Sequence, residues 1–278
     1  MREGPMRNTT GVADQYALAS LEARIDAALA QAGLMAAQLD WRDLTTLDHF
    51  HSRGMAATTD LADALSPERD ARVLDVGCGI GGPARLLAAT YGCHVTGIDL
   101  TPAVVAVATA LSARTRLTDR TLFVPGDAVA LPFADATFDH VLTQHAAMNI
   151  QDRARFYAEI FRVLKPGGRF AIHDVVAGER GALIFPVPWA ATPEVNFLLT
   201  PAAMRTILVE TGFEIQRWED KTDITRAAMV ARRPEDEQSL PLSSDVLAGP
   251  AYPVRVANFH RNLQEGRAGV VLVVAARR

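Results

Sequence analysis

The sequence predicts an α/β fold, a mostly parallel sheet with helices on both faces. Three observations carry that prediction. From residue 69 onward, short aliphatic and β-branched runs alternate with longer segments of helical periodicity, the rhythm of βαβ units. Residues 73–83, Val-Leu-Asp-Val-Gly-Cys-Gly-Ile-Gly-Gly-Pro, read as a buried strand, a glycine turn and the start of a helix. Finally, Val270-Val271-Leu272-Val273-Val274 is an unbroken apolar run, as expected of a strand buried on both faces.

The elements follow in order. Residues 1 to about 12 are polar and expected to be loose. From Gln15 to Ala37, helical spacing puts Leu18, Leu21, Ile25, Ala28 and Leu29 on one face. A second helix is expected over 56–65, ended by Ser66-Pro67, with a loop at 47–54 carrying His49, Phe50 and His51. Strands are expected at 72–76, 94–98, 121–124, 139–144, 169–175, 213–219 and 269–276. Helices are expected near 82–91, 102–116, 151–163 and 201–211, the last opened by Thr200 as N-cap and Pro201 in the first turn.

Two segments break the rhythm. Residues 180–200 form a proline-stiffened aromatic loop with Phe185, Pro186, Pro188, Trp189 and Phe197. Residues 222–266 form a long insert, and its charged stretch Arg232–Glu237 reads as a solvated turn. The expected organisation is an N-terminal helical segment, 1–68, and a sheet domain, 69–278, bearing cap segments 180–200 and 222–266. Ligands of open α/β sheets bind beyond the carboxyl ends of the strands. Specificity should therefore reside in these additions.

Composition narrows the class. At 278 residues the chain can bury one sizeable core. A net charge of −4 argues against a surface that tracks nucleic-acid phosphates. Although 49% of residues are hydrophobic, none of the apolar runs is long enough to span a membrane. The opening Met1-Arg2-Glu3-Gly4-Pro5 lacks the apolar core of a signal peptide. The two cysteines, Cys78 and Cys93, make no disulfide framework. A reduced, cytoplasmic location is expected.

The glycine turn fits an adenosine-containing cofactor. Glycine permits the backbone to pass close beneath a ligand, and the following helix offers free N–H groups and positive partial charge. Asp99 ends the second strand 22 residues after Gly77, near the roughly 20 expected of an acid that accepts from ribose hydroxyls. At this point NAD and S-adenosylmethionine both fit. A hydride-transferring enzyme of the tyrosine–lysine kind would need a lysine four residues after a tyrosine. Tyr16, Tyr91, Tyr157 and Tyr252 lack one.

Three more segments favour S-adenosylmethionine. An acid precedes the turn as Asp75-x-Gly77-x-Gly79, Gly126-Asp127-Ala128 follows the third strand, and Leu164-Lys165-Pro166-Gly167-Gly168 precedes the fifth. In this order the motifs resemble class I S-adenosylmethionine-dependent methyltransferases. They are similar in particular to bacterial small-molecule enzymes such as sarcosine/dimethylglycine N-methyltransferases and natural-product O-methyltransferases.

The resemblance implies a Rossmann-like seven-stranded sheet with the last strand antiparallel beside the fifth, and N-terminal helices serving as a lid. It implies that Asp75, Gly77, Cys78, Gly79, Asp99, Leu100, Asp127, Ala128 and Gln144 bind the cofactor, with Asp127 at the adenine amino group and Ala128 N–H at the ring. S-adenosylhomocysteine would be the product, without metal participation. The reaction would methylate an O or N atom, with C as a further option, of a small-molecule acceptor. The alternative is a catalytically silent module that binds the cofactor.

A hydroxyl or carbon acceptor needs a base, whereas an amine need only arrive deprotonated. His145, at the end of the fourth strand, is the first candidate, since the resemblance places it facing the methyl group. His51 in the expected lid loop is the second. His173 and Asp174 end the fifth strand, and alternation should send one of them into the cleft. The sugar O-methyltransferases of this group carry a histidine pair where this chain has Met148 and Asn149. Trp41, Phe185, Trp189 and Phe197, with Tyr252, Asn258 and His260, are candidates for an acceptor wall. No Cys/His spacing suits zinc.

Overall fold

The computed structural model describes residues 21–34, 39–49, 51–231 and 251–278. The expected loose N-terminus, Leu18, Phe50 and the charged stretch at 232–237 lie outside the described residues. Seven strands form one sheet: β1 (Arg72–Val76), β2 (His94–Asp99), β3 (Thr121–Pro125), β4 (Phe138–Gln144), β5 (Leu164–Ala177), β6 (Phe213–Asp220) and β7 (Ala268–Arg277). Their order across the sheet is β3-β2-β1-β4-β5-β7-β6. Strands β1 to β5 pair in parallel, while β7 runs antiparallel between β5 and β6. This is the Rossmann-like methyltransferase sheet that the sequence predicts.

Period-2 alternation sorts the side chains into two cores. Leu74, Val141, Phe170 and Ile172 face one way, beneath helices α6 (Arg153–Val163) and α7 (Pro201–Thr211). Val73, Val95, Leu142 and Ala171 face the other, beneath α3 (Met55–Leu65), α4 (Gly82–Tyr91) and α5 (Pro102–Arg114). The α7 cap is as expected: Thr200 Oγ1 accepts from Ala203 N at 3.2 Å, and Gly212 closes the helix at φ +108°.

Ahead of the sheet lie α1 (Leu21–Gln31) and α2 (Thr45–Asp48). Leu21, Ile25 and Leu29 of α1 pack with Leu44, Leu47, Val104, Val107 and Leu111. Helix α3 packs on β4 and β5. A buried ion pair pins this region to the sheet domain: Arg85 Nε donates to Asp48 Oδ2 at 3.3 Å, and Arg85 Nη2 to Asp48 Oδ1. Burial raises the Asp48 carboxyl to about 6, outweighing the lowering by Arg85.

Three corrections concern elements. Residues 45–48 are helical, so the expected loop does not begin at Leu47. The Lys165–Gly168 turn is taken into β5, which begins at Leu164 because Leu164 already pairs with Phe138. The insert, to which the sequence reading assigns no element, holds α8 (Thr222–Ala231) and α9 (Tyr252–Gln264). Trp189, Phe259 and Val270 tie segment 180–200 and α9 to the sheet in a separate apolar cluster. Among the described residues, no helix is long and apolar enough to cross a membrane.

Candidate active site

A cavity of about 1400 Å³ opens beyond the carboxyl ends of β1, β2 and β4. All nine residues expected to bind the cofactor line it, and so do His51 and His145. The turn after β1 is shaped by its glycines. Gly77, at φ +79°, sits so close to Ala146 that an added methyl carbon would lie 2.4 Å from the alanine's Cβ. Gly79, at φ +52°, faces open space, with no atom within 4 Å of where its Cβ would stand. Backbone N–H groups of Gly77 and Cys78 donate to Ile98 O at 2.8 and 3.1 Å, locking the turn to β2.

The two acids at the floor differ in their partners. Asp99 accepts from Gly79 N at 3.1 Å and Thr101 N at 3.0 Å, one bond to each carboxylate oxygen. Burial still raises its carboxyl above the usual range. Asp75 is buried, and its Oδ2 finds no hydrogen-bond partner among the described residues. Burial pushes its carboxyl up to about 7, with the charge of Asp99 adding to the effect. Cys78 is buried and its thiol is held well above its ordinary value by burial. Asp127 Oδ1 accepts from Val129 N at 3.0 Å, which fixes the turn after β3.

Histidines from two distant parts of the chain meet at the end of β4. His145 stacks on His51 with centroids 5.5 Å apart, and on His173 at 5.2 Å. Its backbone is left-handed at φ +51°, a conformation rare outside glycine and enriched at functional sites. Burial, then the neighbouring His173 and His51, lowers His145 well below the ordinary imidazole value. The ring is therefore neutral at pH 7. Ser52 Oγ lies 3.0 Å from His145 Nε2.

Thr58 is the hub of the next layer. Its hydroxyl donates to Gln144 Oε1 at 3.0 Å and lies 3.2 Å from His51 Nε2 and 3.0 Å from His49 Nδ1. The Gln144 amide nitrogen lies 3.4 Å from His51 Nδ1. With Thr58 donating to Gln144, the consistent pattern has Gln144 donating to His51 Nδ1 and His51 Nε2–H donating to Thr58. His51 is thus gripped at both ring nitrogens.

Residues 74–172 match the family described as "Methyltransferase domain". That stretch carries a methyltransferase domain. Over 143 residues the chain is 37% identical to methyltransferase GfsG of Streptomyces halstedii, covering 51% of either chain. It is also 37% identical over 119 residues to a sterol 24-C-methyltransferase of Schizosaccharomyces pombe, covering 43% of this chain and 32% of that one. The chain thus spans from 28% to 51% of the length of these and similar curated relatives. A geranyl diphosphate C-methyltransferase structure from Streptomyces coelicolor A3(2) shares the fold over 100% of both chains, with TM-score 0.71 at 17% identity.

The cavity leaves some sequence candidates aside. Neither His173 nor Asp174 lines it: His173 is buried beneath His145, and Asp174 is buried with Oδ1 accepting from Val175 N. Burial lowers His173 to about 3 and raises Asp174 to about 6. Trp41 packs against the α4 side of the sheet instead. Phe185 and Asn258 stand behind the wall, the latter donating to Pro186 O at 2.9 Å. Trp189, Phe197, Tyr252 and His260 do line it. Sequence reasoning missed Ser52 and Thr58, whose partners lie 93 and 86 residues away. It also missed Met229 and Val256, although Tyr252, Val256, Phe259 and Leu263 carry a helical apolar spacing.

Proposed function

We propose that this chain transfers a methyl group from S-adenosylmethionine to the oxygen of a small-molecule hydroxyl, with Ser52 and His145 handling the acceptor's proton. The observation that carries this reading is convergence. The glycine turn, Asp99, Asp127 and Gln144 open on one cavity together with a serine paired to a buried, neutral histidine.

The residues present fit the donor. Gly79 leaves open space where any other residue would project a side chain. Asp99, oriented by two backbone N–H groups, would accept from the ribose hydroxyls, and Leu100 would cover the adenine. Asp127 and Ala128 N–H would read the adenine edge. The unpartnered Oδ2 of Asp75 and the backbone around Gln144 would take the amino-acid end. When bound, S-adenosylmethionine supplies an electrophilic methyl carbon and leaves as S-adenosylhomocysteine.

The chain's own residues then manage alignment and one proton. Burial keeps a lone pair available on His145 at neutral pH. As the acceptor oxygen bonds to the methyl carbon, its proton passes to Ser52 Oγ while the serine's proton passes to His145 Nε2. His51, gripped by Gln144 and Thr58, positions the His145 ring by stacking. Segment 1–68 acts as a lid: it delivers Ser52 and His51 to domain 69–278 and excludes water from the cleft.

The test is turnover of S-adenosylmethionine against alcohols, phenols and amines, detecting S-adenosylhomocysteine. Hydroxyl acceptors are expected to react, and His145→Ala to slow them by roughly 10²–10⁴-fold while S-adenosylhomocysteine still binds. Ser52→Ala should also be slow, and Ser52→Thr should recover part of the rate. A full-rate His145→Ala enzyme would remove the proton-transfer scheme, and absence of product binding would remove the donor site.

A further inference from the structure

The wall contributed by segments 180–200, 222–231 and 252–264 holds no lysine, arginine, aspartate or glutamate among the residues that face the cavity. Its surface is made chiefly by Trp189, Phe197, Met229, Tyr252, Val256 and Phe259. The helices that supply it are not short of charge. Asp223 and Arg226 of α8 pair with each other at 2.8 Å. On α9, Arg261 pairs with Glu265 at 2.6 Å, and Arg255 Nη1 lies 3.4 Å from Val187 O. None of these charges lines the cavity, whose α8 and α9 side is apolar apart from His260 and Gln264.

Among the described residues, the rest of the cavity lining has one arginine and five aspartates, of which Asp48 is paired with Arg85 and Asp75, Asp99 and Asp127 stand at the donor end. Arg53 is committed to Asp60 at 2.8 Å, and Asp152 accepts from Arg155 N at the start of α6. A phosphate group taken out of water needs a charged partner nearby, or its desolvation goes uncompensated. The size of the cavity bears on the same point. At about 1400 Å³ it exceeds the roughly 300–1,000 Å³ that holds one small ligand. It therefore has room for a bulky acceptor beside the donor.

We propose that the acceptor is an uncharged, bulky, predominantly apolar alcohol, seated against α8, α9 and the Trp189 loop with its hydroxyl toward Ser52. The proposal rests on the methyl-transfer reading for the hydroxyl's position, while the apolar seat is judged by binding alone. Phosphorylated and amino-acid acceptors are disfavoured by the same wall.

The experiment is calorimetric binding to the full chain saturated with S-adenosylhomocysteine. The probes are 1-decanol and cyclododecanol, each compared with its phosphate monoester. At least one alcohol is expected to bind 10-fold or more tightly than its ester, and preference for the chain or the ring alcohol reports the shape of the seat. Val256→Asp should weaken alcohol binding by 10-fold or more while S-adenosylhomocysteine affinity, which reports an intact fold, is unchanged. Equal or tighter binding of the esters, or binding of none of the four, would overturn the proposal. Loss of S-adenosylhomocysteine binding by the unmodified chain would instead overturn the donor site on which it rests.

Discussion

Asp75 is the residue whose chemistry depends most on what enters the cavity. A carboxyl raised to about 7 is mixed in protonation at neutral pH, and its Oδ2 finds no partner among the described residues. Binding of a ligand with an ammonium group favours the ionised form, so binding releases a proton wherever Asp75 is protonated beforehand. S-adenosylhomocysteine affinity should therefore rise with pH between about 6 and 8 and level off above. Asp75→Asn should bind weakly with a flat profile over that range, as read by titration calorimetry at several pH values. An unchanged pH slope in the variant would show that another group governs binding. Such residues were legible because Asp75, Gly77, Gly79 and Asp99 sit in short local motifs. Ser52 and Thr58 were not, since neither hydroxyl carries a local signal of the distant side chain it meets.

At the scale of elements, the turn after β1 divides into a packed half and an open half. Gly77→Ala puts a methyl group against Ala146 Cβ as well as forcing alanine into a left-handed conformation. Gly79→Ala meets the conformational cost alone, about 1–2 kcal/mol. Gly77→Ala should thus lower the melting temperature further, whereas Gly79→Ala should chiefly weaken S-adenosylhomocysteine binding by filling its space. Thermal melts and product titrations of both variants would separate the two effects, and equal melting temperatures would contradict the packing. Strand and helix positions in the sheet were readable because apolar period and glycine punctuation agree there. The insert was less so: α9 interleaves Arg255, Asn258 and Arg261 with its apolar stripe and has Pro253 in its first turn. Its helical spacing is clear only once the partner surface is known.

For the whole molecule, the buried Asp48–Arg85 pair decides how the N-terminal region is held over the cleft. Removing one partner strands the other charge in a buried site. Arg85→Met should destabilise the fold by about 3–5 kcal/mol in denaturant titration. The double change Asp48→Leu with Arg85→Met should recover much of that loss, because no unpaired charge remains. A single variant as stable as the parent would show that the pair contributes nothing to the docking. The strand order has a consequence of another kind, in time. During synthesis β6 emerges well before β7, with α8 and α9 in between, yet β7 supplies its hydrogen-bonded neighbour in the sheet. At about 5–20 residues per second the nascent chain spends seconds with the flank of β5 bare and β6 unmoored. The same cap that shapes the acceptor seat lengthens that exposed interval, so enlarging the insert to suit a bigger acceptor prolongs the chain's exposure to aggregation.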